Sequence, residues 1–106
     1  MTLESDIQTQ IIEYLRGRPA TYVLNVGGGA STAKGTSDLI VCYRGQFVAF
    51  EVKRDEKVYG VTKTQNIRRR QVEKAEGSWF TVVTLHDVVL ALDLIDESLK
   101  GRTCGY

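Results

Sequence analysis

The sequence predicts a single α/β domain in which helices flank one mixed central β-sheet. Two observations lead to this fold class. Segments with apolar residues at three- and four-residue spacings alternate with short runs of β-branched and aromatic residues, in the order helix, strand, strand, strand, helix, strand, helix. The 106 residues suffice for one hydrophobic core but not for two ordinary domains. We therefore expect one domain over residues 1–100 and a frayed tail over residues 101–106.

An amphipathic helix and a strand are predicted first. Apolar residues recur every three or four positions over residues 3–16, and Pro19 ends the helix because proline disfavours helical geometry in the residue before it. Residues 20–26 are rich in aromatic and β-branched side chains and favour a strand. The glycines at positions 27–29 then open a long loop that reaches Ser37.

A β-hairpin is predicted next. Two apolar runs, residues 38–43 and 46–53, are separated only by Arg44 and Gly45. A two-residue turn fixes the pairing of the strands, so the numbers of any two facing residues add up to 89. The turn therefore decides which side chains share a face of the hairpin.

This register brings two carboxylates together. Asp38 falls opposite Glu51, with Cβ atoms about 5 Å apart, where like charges destabilise the sheet unless something compensates them. A divalent cation compensates them naturally, and carboxylate oxygens suit Mg²⁺ or Mn²⁺. Lys53 lies on the same face and can polarise a phosphate or position an attacking water. The alternative is a weak ion pair between Glu51 and Lys53 on an exposed strand face, which leaves Asp38 unexplained.

The second half of the chain predicts a helix, a strand and a final helix. Thr62 can cap a helix that runs to about Glu76 and stops at Gly77. Residues 80–83 form a short buried strand. Thr84, followed three residues later by an aspartate, marks the start of the final helix. Its apolar stripe consists of Val88, Leu92, Ile95 and Leu99.

Composition excludes several classes of site. The two cysteines, Cys42 and Cys104, form no CxxC pair, and His86 is the one histidine, so disulfide frameworks, multi-histidine zinc sites and HNH-type nucleases are excluded. We expect Cys42 to be a small residue of the core. No apolar run approaches the roughly 18 residues of a membrane span, and the N-terminus is acidic where a signal peptide would be basic. We therefore expect a cytosolic protein.

Charge is unevenly distributed. Residues 53–74 contain eight basic and three acidic side chains and carry +5, whereas the rest of the chain carries −4. A local basic face indicates a polyanionic partner. Residues 68–70 are all arginine, and at most two of them can serve one groove because successive helical residues turn by about 100°; phosphate contact and a solvated face are both open. Aromatic side chains beside apolar strands are expected in the core more often than on bases; these are Tyr22, Trp79 and Phe80.

These motifs together resemble a known nuclease family. Residues 35–38 (Gly-Thr-Ser-Asp), the hairpin, and residues 50–53 (Phe-Glu-Val-Lys) resemble the PD-(D/E)XK motif, with Ser37 in place of the usual proline. The chain resembles a stand-alone VRR-Nuc domain of the kind found in phages over roughly residues 4–90. The resemblance implies a restriction-endonuclease-like core that hydrolyses phosphodiester bonds with a metal-activated water.

The resemblance also implies a metal-ligand set. Asp38 and Glu51 would bind Mg²⁺ or Mn²⁺, and the backbone carbonyl of Val52 would complete the inner shell. Glu4 would reach the metal directly or through water. The alternative for Glu4 is an acid at a helix start that interacts with the helix dipole.

Two further residues take catalytic roles by the same resemblance. Lys53 would be the catalytic lysine. Gln65 would orient that lysine, the attacking water or the substrate, although an ordinary solvated helix residue is its rival.

We therefore expect a metal-dependent DNA endonuclease of the phage or bacterial host cytosol. Cutting both strands of a duplex or a four-way junction needs two active sites, which a homodimer supplies, so branched DNA such as a Holliday junction is an expected substrate. A catalytically inactive DNA-binding module and a phage interaction protein are the alternatives. No membrane partner is expected.

Overall fold

The chain forms three helices and four strands in the predicted order. A computed structural model describes residues 4–26, 38–53 and 63–100, with side chains from Asp6 onward. The elements are α1 (Glu4–Arg16), β1 (Thr21–Asn25), β2 (Leu39–Tyr43), β3 (Gln46–Val52), α2 (Lys63–Lys74), β4 (Ser78–Val82) and α3 (Leu85–Lys100). The α/β class and the mixed sheet flanked by helices are confirmed. The boundary at residue 100, the capping role of Thr62 and the glycine-rich loop lie outside or at the limit of the described residues and stay predictions.

The sheet has the strand order β1-β2-β3-β4. The first three strands are antiparallel, and β4 runs parallel to β3 after the crossover through α2. One face of the sheet packs against α1 and α3, and α2 lies on the opposite face, where Gln65 hydrogen-bonds Glu51. The core between the sheet, α1 and α3 consists mainly of Ile11, Leu15, Leu39, Val41, Val48, Phe50, Val52, Val82, Val88, Leu92 and Ile95.

The hairpin turn has the predicted length and conformation. Arg44 and Gly45 adopt φ values of 51° and 82°, and two consecutive positive φ angles match the twist of a two-residue hairpin. Leu39 pairs with Phe50 across the strands, as the predicted register requires. The register expectation is therefore confirmed.

The start of α3 is also as predicted. The backbone N–H of Asp87 donates to Thr84 Oγ1 at 3.2 Å, and the N–H of Thr84 donates to Asp87 Oδ2 at 3.1 Å. This reciprocal pair satisfies donors that the first helical turn leaves open. The helix is 16 residues long, and none of the described helices is long and apolar enough to cross a membrane.

The end of α2 differs from the prediction. The helix ends at Lys74, and the residue in the left-handed region is Glu76, with φ 70°. The N–H of Gly77 donates to Val72 O at 2.9 Å and the N–H of Glu76 donates to Glu73 O at 3.0 Å, the pattern of a Schellman cap. Glycine is required at position 77 for space instead.

A Cβ atom at Gly77 would lie 2.9 Å from Val72 Cγ1 and 3.1 Å from Phe47 Cδ1. The chain after α2 therefore passes close against both the helix and β3 before β4 begins. β4 itself starts at Ser78, two residues before the predicted start at Phe80, and only Val82 of this strand is buried. The predicted strand is confirmed, but its start and its full burial are not, because β4 borders the described sheet on one side only.

Two side chains expected in the core are exposed. Cys42 is exposed, and Tyr22 retains 66% of its accessible surface. Both lie on the sheet face that carries α2. On that face, however, α2 packs near β4, at the edge of the described sheet opposite to β1. The described helices therefore leave this part of the face open.

A polar network fastens α1, the hairpin and α3 at the turn end of the sheet. The Arg18 guanidinium donates 2.8 Å hydrogen bonds to the hydroxyls of Tyr14 and Tyr43, and its carbon lies within 5.6 Å of both ring centroids. Tyr43 donates to Asp96 Oδ1 at 2.8 Å, and Arg44 donates to the same oxygen at 2.8 Å. The bond from Arg44, followed by that from Tyr43, lowers the pKa of Asp96, whereas burial is the main cause that raises the pKa of Tyr43.

Candidate functional site

Asp38 and Glu51 lie on one face of the hairpin at the end far from the turn. The last pair within the strands is Leu39 with Phe50, and one more step of the same register sets Asp38 opposite Glu51. The Val26 N–H donates to Asp38 O at 3.0 Å, so the β1–β2 ladder also continues to this position. Facing Cβ atoms in antiparallel strands are about 5 Å apart. The fold thus brings the two predicted carboxylates together.

Glu51 is the buried carboxylate of the pair. It retains 6% of its accessible surface and is the one charged residue buried among those described. Gln65 Nε2, from α2, donates to Glu51 Oε1 at 2.7 Å. Burial of a carboxylate costs free energy, which hydrogen bonds and a bound cation reduce. Gln65 therefore holds the Glu51 side chain and is not merely a solvated helix residue.

Asp38 is held by a backbone donor that the sequence analysis missed. The Val52 N–H donates to Asp38 Oδ2 at 2.8 Å, and Oδ1 forms no hydrogen bond with a described residue. Among the described residues no residue of β2 pairs with Val52, because β2 begins at Leu39 and Leu39 pairs with Phe50; the predicted register already places Val52 beyond that pair. The N–H and C=O of a strand residue project from the same edge. The Val52 carbonyl therefore emerges on the side of Asp38.

Lys53 follows β3 directly. Its backbone N–H donates to Val82 O at 2.8 Å, which ties this position to β4. The side chain is half-buried, and its ammonium makes no hydrogen bond or ion pair with a described residue. The strand ends one residue earlier than predicted, yet Lys53 remains at the same end of the sheet as Glu51. Its cation is available to a ligand at that end.

Glu4 is the first residue of α1, and its side chain lies outside the described part of the chain. One turn later, Gln8 Nε2 donates to Asn25 Oδ1 at 3.3 Å. Asn25 pairs with Leu39, the residue that follows Asp38. The first turn of α1 therefore lies at the sheet end that carries the carboxylates, as a ligand role for Glu4 requires.

The basic residues of α2 lie on this side of the sheet. Four are exposed: Lys63, Arg68, Arg70 and Lys74. Arg69 is half-buried, with its Nε 3.9 Å from Glu73 Oε1, a distance too long for a hydrogen bond. The three consecutive arginines therefore do not act as one surface. On the opposite face of the sheet, most of the charged residues of α1 and α3 are acidic.

Two other features do not contribute to this site. A groove of about 280 Å³ lies between β4 and α3, on the far side of the sheet, and is lined by Leu90 and Leu94 among others. Its acid, Asp87, already accepts hydrogen bonds from the N–H groups of Val83 and Thr84. His86 is exposed at the start of α3 and has no partner among the described residues.

The donor set within the described residues is small. No group of three or more histidine, cysteine, aspartate or glutamate side chains that could hold a metal ion occurs in residues 6–26, 38–53 and 63–100. The pair formed by Asp38 and Glu51, with the Val52 carbonyl beside it, offers only oxygen donors. Such donors suit a hard cation such as Mg²⁺ or Mn²⁺ and do not suit a structural zinc ion.

Solved structures with the same architecture are known. One, named "VRR_NUC domain", has a TM-score of 0.69 with this chain at 22% identity, over 88% of this chain and 97% of its own. A second, named "VRR_NUC domain protein", has a TM-score of 0.65 at 16% identity, over 87% of this chain and 86% of its own. No family model and no curated protein matches the sequence. The likeness predicted from the motifs is thus confirmed for the fold.

Proposed function

We propose that this chain, which has the fold of the VRR-Nuc domains, is a metal-dependent DNA endonuclease. The observation that carries the proposal is the cross-strand pair of Asp38 and Glu51, followed at the same sheet end by Lys53. Two carboxylates that face each other on neighbouring strands destabilise a sheet unless another group compensates their charge. A nuclease-type fold with these residues at one end of its hairpin fits phosphodiester hydrolysis.

The residues present fit a divalent cation. Asp38 Oδ1, the Glu51 carboxylate and the Val52 carbonyl would hold Mg²⁺ or Mn²⁺, and Glu4 would add a direct or water-bridged contact from α1. When bound, the ion supplies Lewis acidity and lowers the pKa of water. The bond from Val52 N–H to Asp38 and the bond from Gln65 to Glu51 preset both carboxylates, as outer-shell partners do at metal sites.

Lys53 stabilises the phosphate in the reaction we propose. Its ammonium approaches a non-bridging phosphate oxygen and offsets the negative charge that develops as water attacks phosphorus. The water oxygen forms the new P–O bond and loses a proton to solvent, the bond between phosphorus and the 3′ oxygen breaks, and the 3′ oxygen takes up a proton from solvent. The products are a 5′-phosphate and a 3′-hydroxyl.

We further propose a homodimer that acts on branched DNA. One chain provides one site, and cutting two strands of a junction requires a second, which a two-fold symmetric pair would supply. The basic residues of α2 would contact the phosphates. The expected cytosolic location stays a prediction.

Cleavage assays on defined DNA test this function. Labelled linear, flapped and four-way-junction DNA would be incubated with the protein and Mg²⁺, Mn²⁺ or EDTA, next to a Lys53→Ala variant and a matched Lys100→Ala control. We expect cutting that needs metal, is lost in Lys53→Ala and persists in Lys100→Ala. Absence of cutting with either ion contradicts the proposal. DNA binding without cutting would then identify an inactive binding module, and absence of binding an interaction protein.

A further inference from the structure

The sheet face that carries Asp38 and Glu51 continues as an exposed apolar surface. Facing residues of β1, β2 and β3 form rows across the sheet, and successive rows on one face are about 7 Å apart. The row next to the carboxylates contains Leu24, Ile40 and Ala49, and the following row contains Tyr22, Cys42 and Phe47. We call Tyr22, Leu24, Ile40, Cys42 and Phe47 the apolar floor.

The apolar floor is open to solvent and uncharged. Tyr22 is 66% exposed, Leu24 45% and Phe47 44%, and Cys42 is exposed as well. These side chains belong to neighbouring strands, so they form one contiguous surface and are not scattered singly. Contiguous exposed apolar surface on a small domain indicates a binding site.

Basic side chains lie on the same sheet face as the apolar floor, on the side of β4. α2 lies on the same sheet face near β4 and exposes Lys63, Arg68, Arg70 and Lys74. The described part of this face therefore combines the apolar floor, the exposed basic side chains of α2 and, at one end, the pair of carboxylates. Unpaired nucleic acid matches it, because bases stack on aromatic side chains while phosphates contact basic ones.

Other occupants fit this surface less well. A fully paired duplex keeps its base faces inside the stack and gains little from Tyr22 or Phe47. A second copy of the chain, packed floor to floor at the usual sheet spacing of about 10 Å, would also cover the carboxylate row one step away. Such a dimer would close the site to its substrate.

We propose that the apolar floor binds unpaired bases of the DNA substrate, with Tyr22 as the stacking platform. The inference rests on the proposed function and specifies its substrate: among branched DNA molecules, those in which the strand to be cut is unpaired beside the scissile phosphate, such as a flap, are favoured over a fully paired four-way junction. A single DNA strand that crosses this face would then pass Tyr22, Leu24 and Asp38 in that order.

Binding measured without metal separates this inference from catalysis. Fluorescence anisotropy in EDTA would compare a labelled single-stranded oligothymidine with a blunt duplex of equal length. The variants are Tyr22→Leu, which keeps an apolar side chain without a ring, and Tyr22→Phe, which keeps the ring. Leu94→Ser, equally exposed on α3, is the matched control. Circular dichroism would verify the fold of each variant.

We expect Tyr22→Leu to raise the Kd for the single strand about tenfold, as loss of one stacked base predicts. Tyr22→Phe and Leu94→Ser should stay within about twofold, and the duplex Kd should not change. An unchanged single-strand Kd in Tyr22→Leu overturns the proposal, and so does an equal loss in Tyr22→Phe. A halved mass in light scattering for Tyr22→Leu alone also overturns it, because the floor would then be an interface between copies.

The outcomes also distinguish this inference from the proposed function. Binding that depends on Tyr22, in a protein that cuts no DNA, supports the floor and contradicts the nuclease. If the protein cuts DNA but its Kd for the single strand does not change in Tyr22→Leu, the proposed nuclease function is supported and the proposal that the apolar floor binds bases is overturned.

Discussion

Gln65 Nε2 lies 2.7 Å from Glu51 Oε1 and joins α2 to β3 beneath it. The two residues are 14 positions apart in sequence. The bond fixes the orientation of a buried carboxylate, and it also makes the position of α2 part of the site. A helix that carries basic residues is thereby tied to the group proposed to bind metal.

Removal of this hydrogen bond should lower metal-dependent cleavage more than it lowers the stability of the fold. For Gln65→Ala we expect cleavage to fall roughly 10- to 100-fold, as for other partners of metal ligands, with a higher Mg²⁺ concentration needed for half-maximal rate. The Mg²⁺ titration of the cleavage rate measures both. Gln71→Ala, exposed on the same helix, is the control. Equal rates for the two variants would contradict the role of Gln65.

Glu51→Gln should stabilise the metal-free protein. The change removes a buried charge that faces Asp38 and keeps an oxygen that can accept from Gln65, so we expect about 1 kcal/mol of added stability in EDTA. Mg²⁺ should raise the Tm of the wild type and leave that of the variant unchanged, because a ligand stabilises only the protein that binds it. Thermal unfolding with EDTA or Mg²⁺ tests both points, with the exposed Glu97→Gln as control. An identical Mg²⁺ shift in Glu51→Gln would exclude this carboxylate as a ligand.

The end of α2 offers a pair of opposite changes. Glu76→Gly should stabilise the fold by about 1 kcal/mol, because glycine adopts the observed φ of 70° without a Cβ penalty. Gly77→Ala should destabilise it by about 1–3 kcal/mol, because its Cβ would lie 2.9 Å from Val72 Cγ1. Urea unfolding measures both. The reverse order of stabilities would show that glycine 77 serves the backbone conformation instead of the packing.

Asp96 should make stability depend on pH on the acid side. The hydrogen bond from Arg44 lowers the pKa of Asp96 in the folded chain below its ordinary value of 3.8. The folded state therefore favours the ionised form, so this contribution is present above the unfolded pKa and is lost as pH falls through the folded pKa. Asp96→Asn should flatten the loss of stability below pH of about 4, measured by urea unfolding across pH. The exposed Asp93→Asn is the control for removal of a carboxylate from the same helix.

Local rules predict the parts of the site that one hairpin determines. A two-residue turn at Arg44 and Gly45 admits few conformations, so the facing of Asp38 and Glu51 followed from residue spacing alone. The Thr84 cap followed in the same way from two side chains three residues apart. These features depend on neighbouring residues and not on how distant elements pack.

Features that depend on long-range packing could not be predicted from the sequence. The exposure of Tyr22 depends on how far across the sheet α2 lies, and helical periodicity gives no lateral position. The left-handed residue after α2 was expected at Gly77, where glycine is usual, but it is Glu76, and Gly77 is instead required by its close approach to Val72 and Phe47. The Val52 bond to Asp38 depends on where β2 begins, which propensities locate only to within a few residues.

The turn at Arg44 and Gly45 reverses the usual mutational tolerance of a surface loop. Insertions are ordinarily best accepted at exposed, polar connections. Here one added or deleted residue would shift the pairing of β2 by one position and rotate Asp38 onto the core face, about 17 Å from the change along a five-residue strand. We expect homologous chains to conserve the number of these two positions and to fill them with residues that tolerate positive φ, such as asparagine, aspartate and glycine. The length of this turn is therefore as important to the proposed site as the two carboxylates themselves.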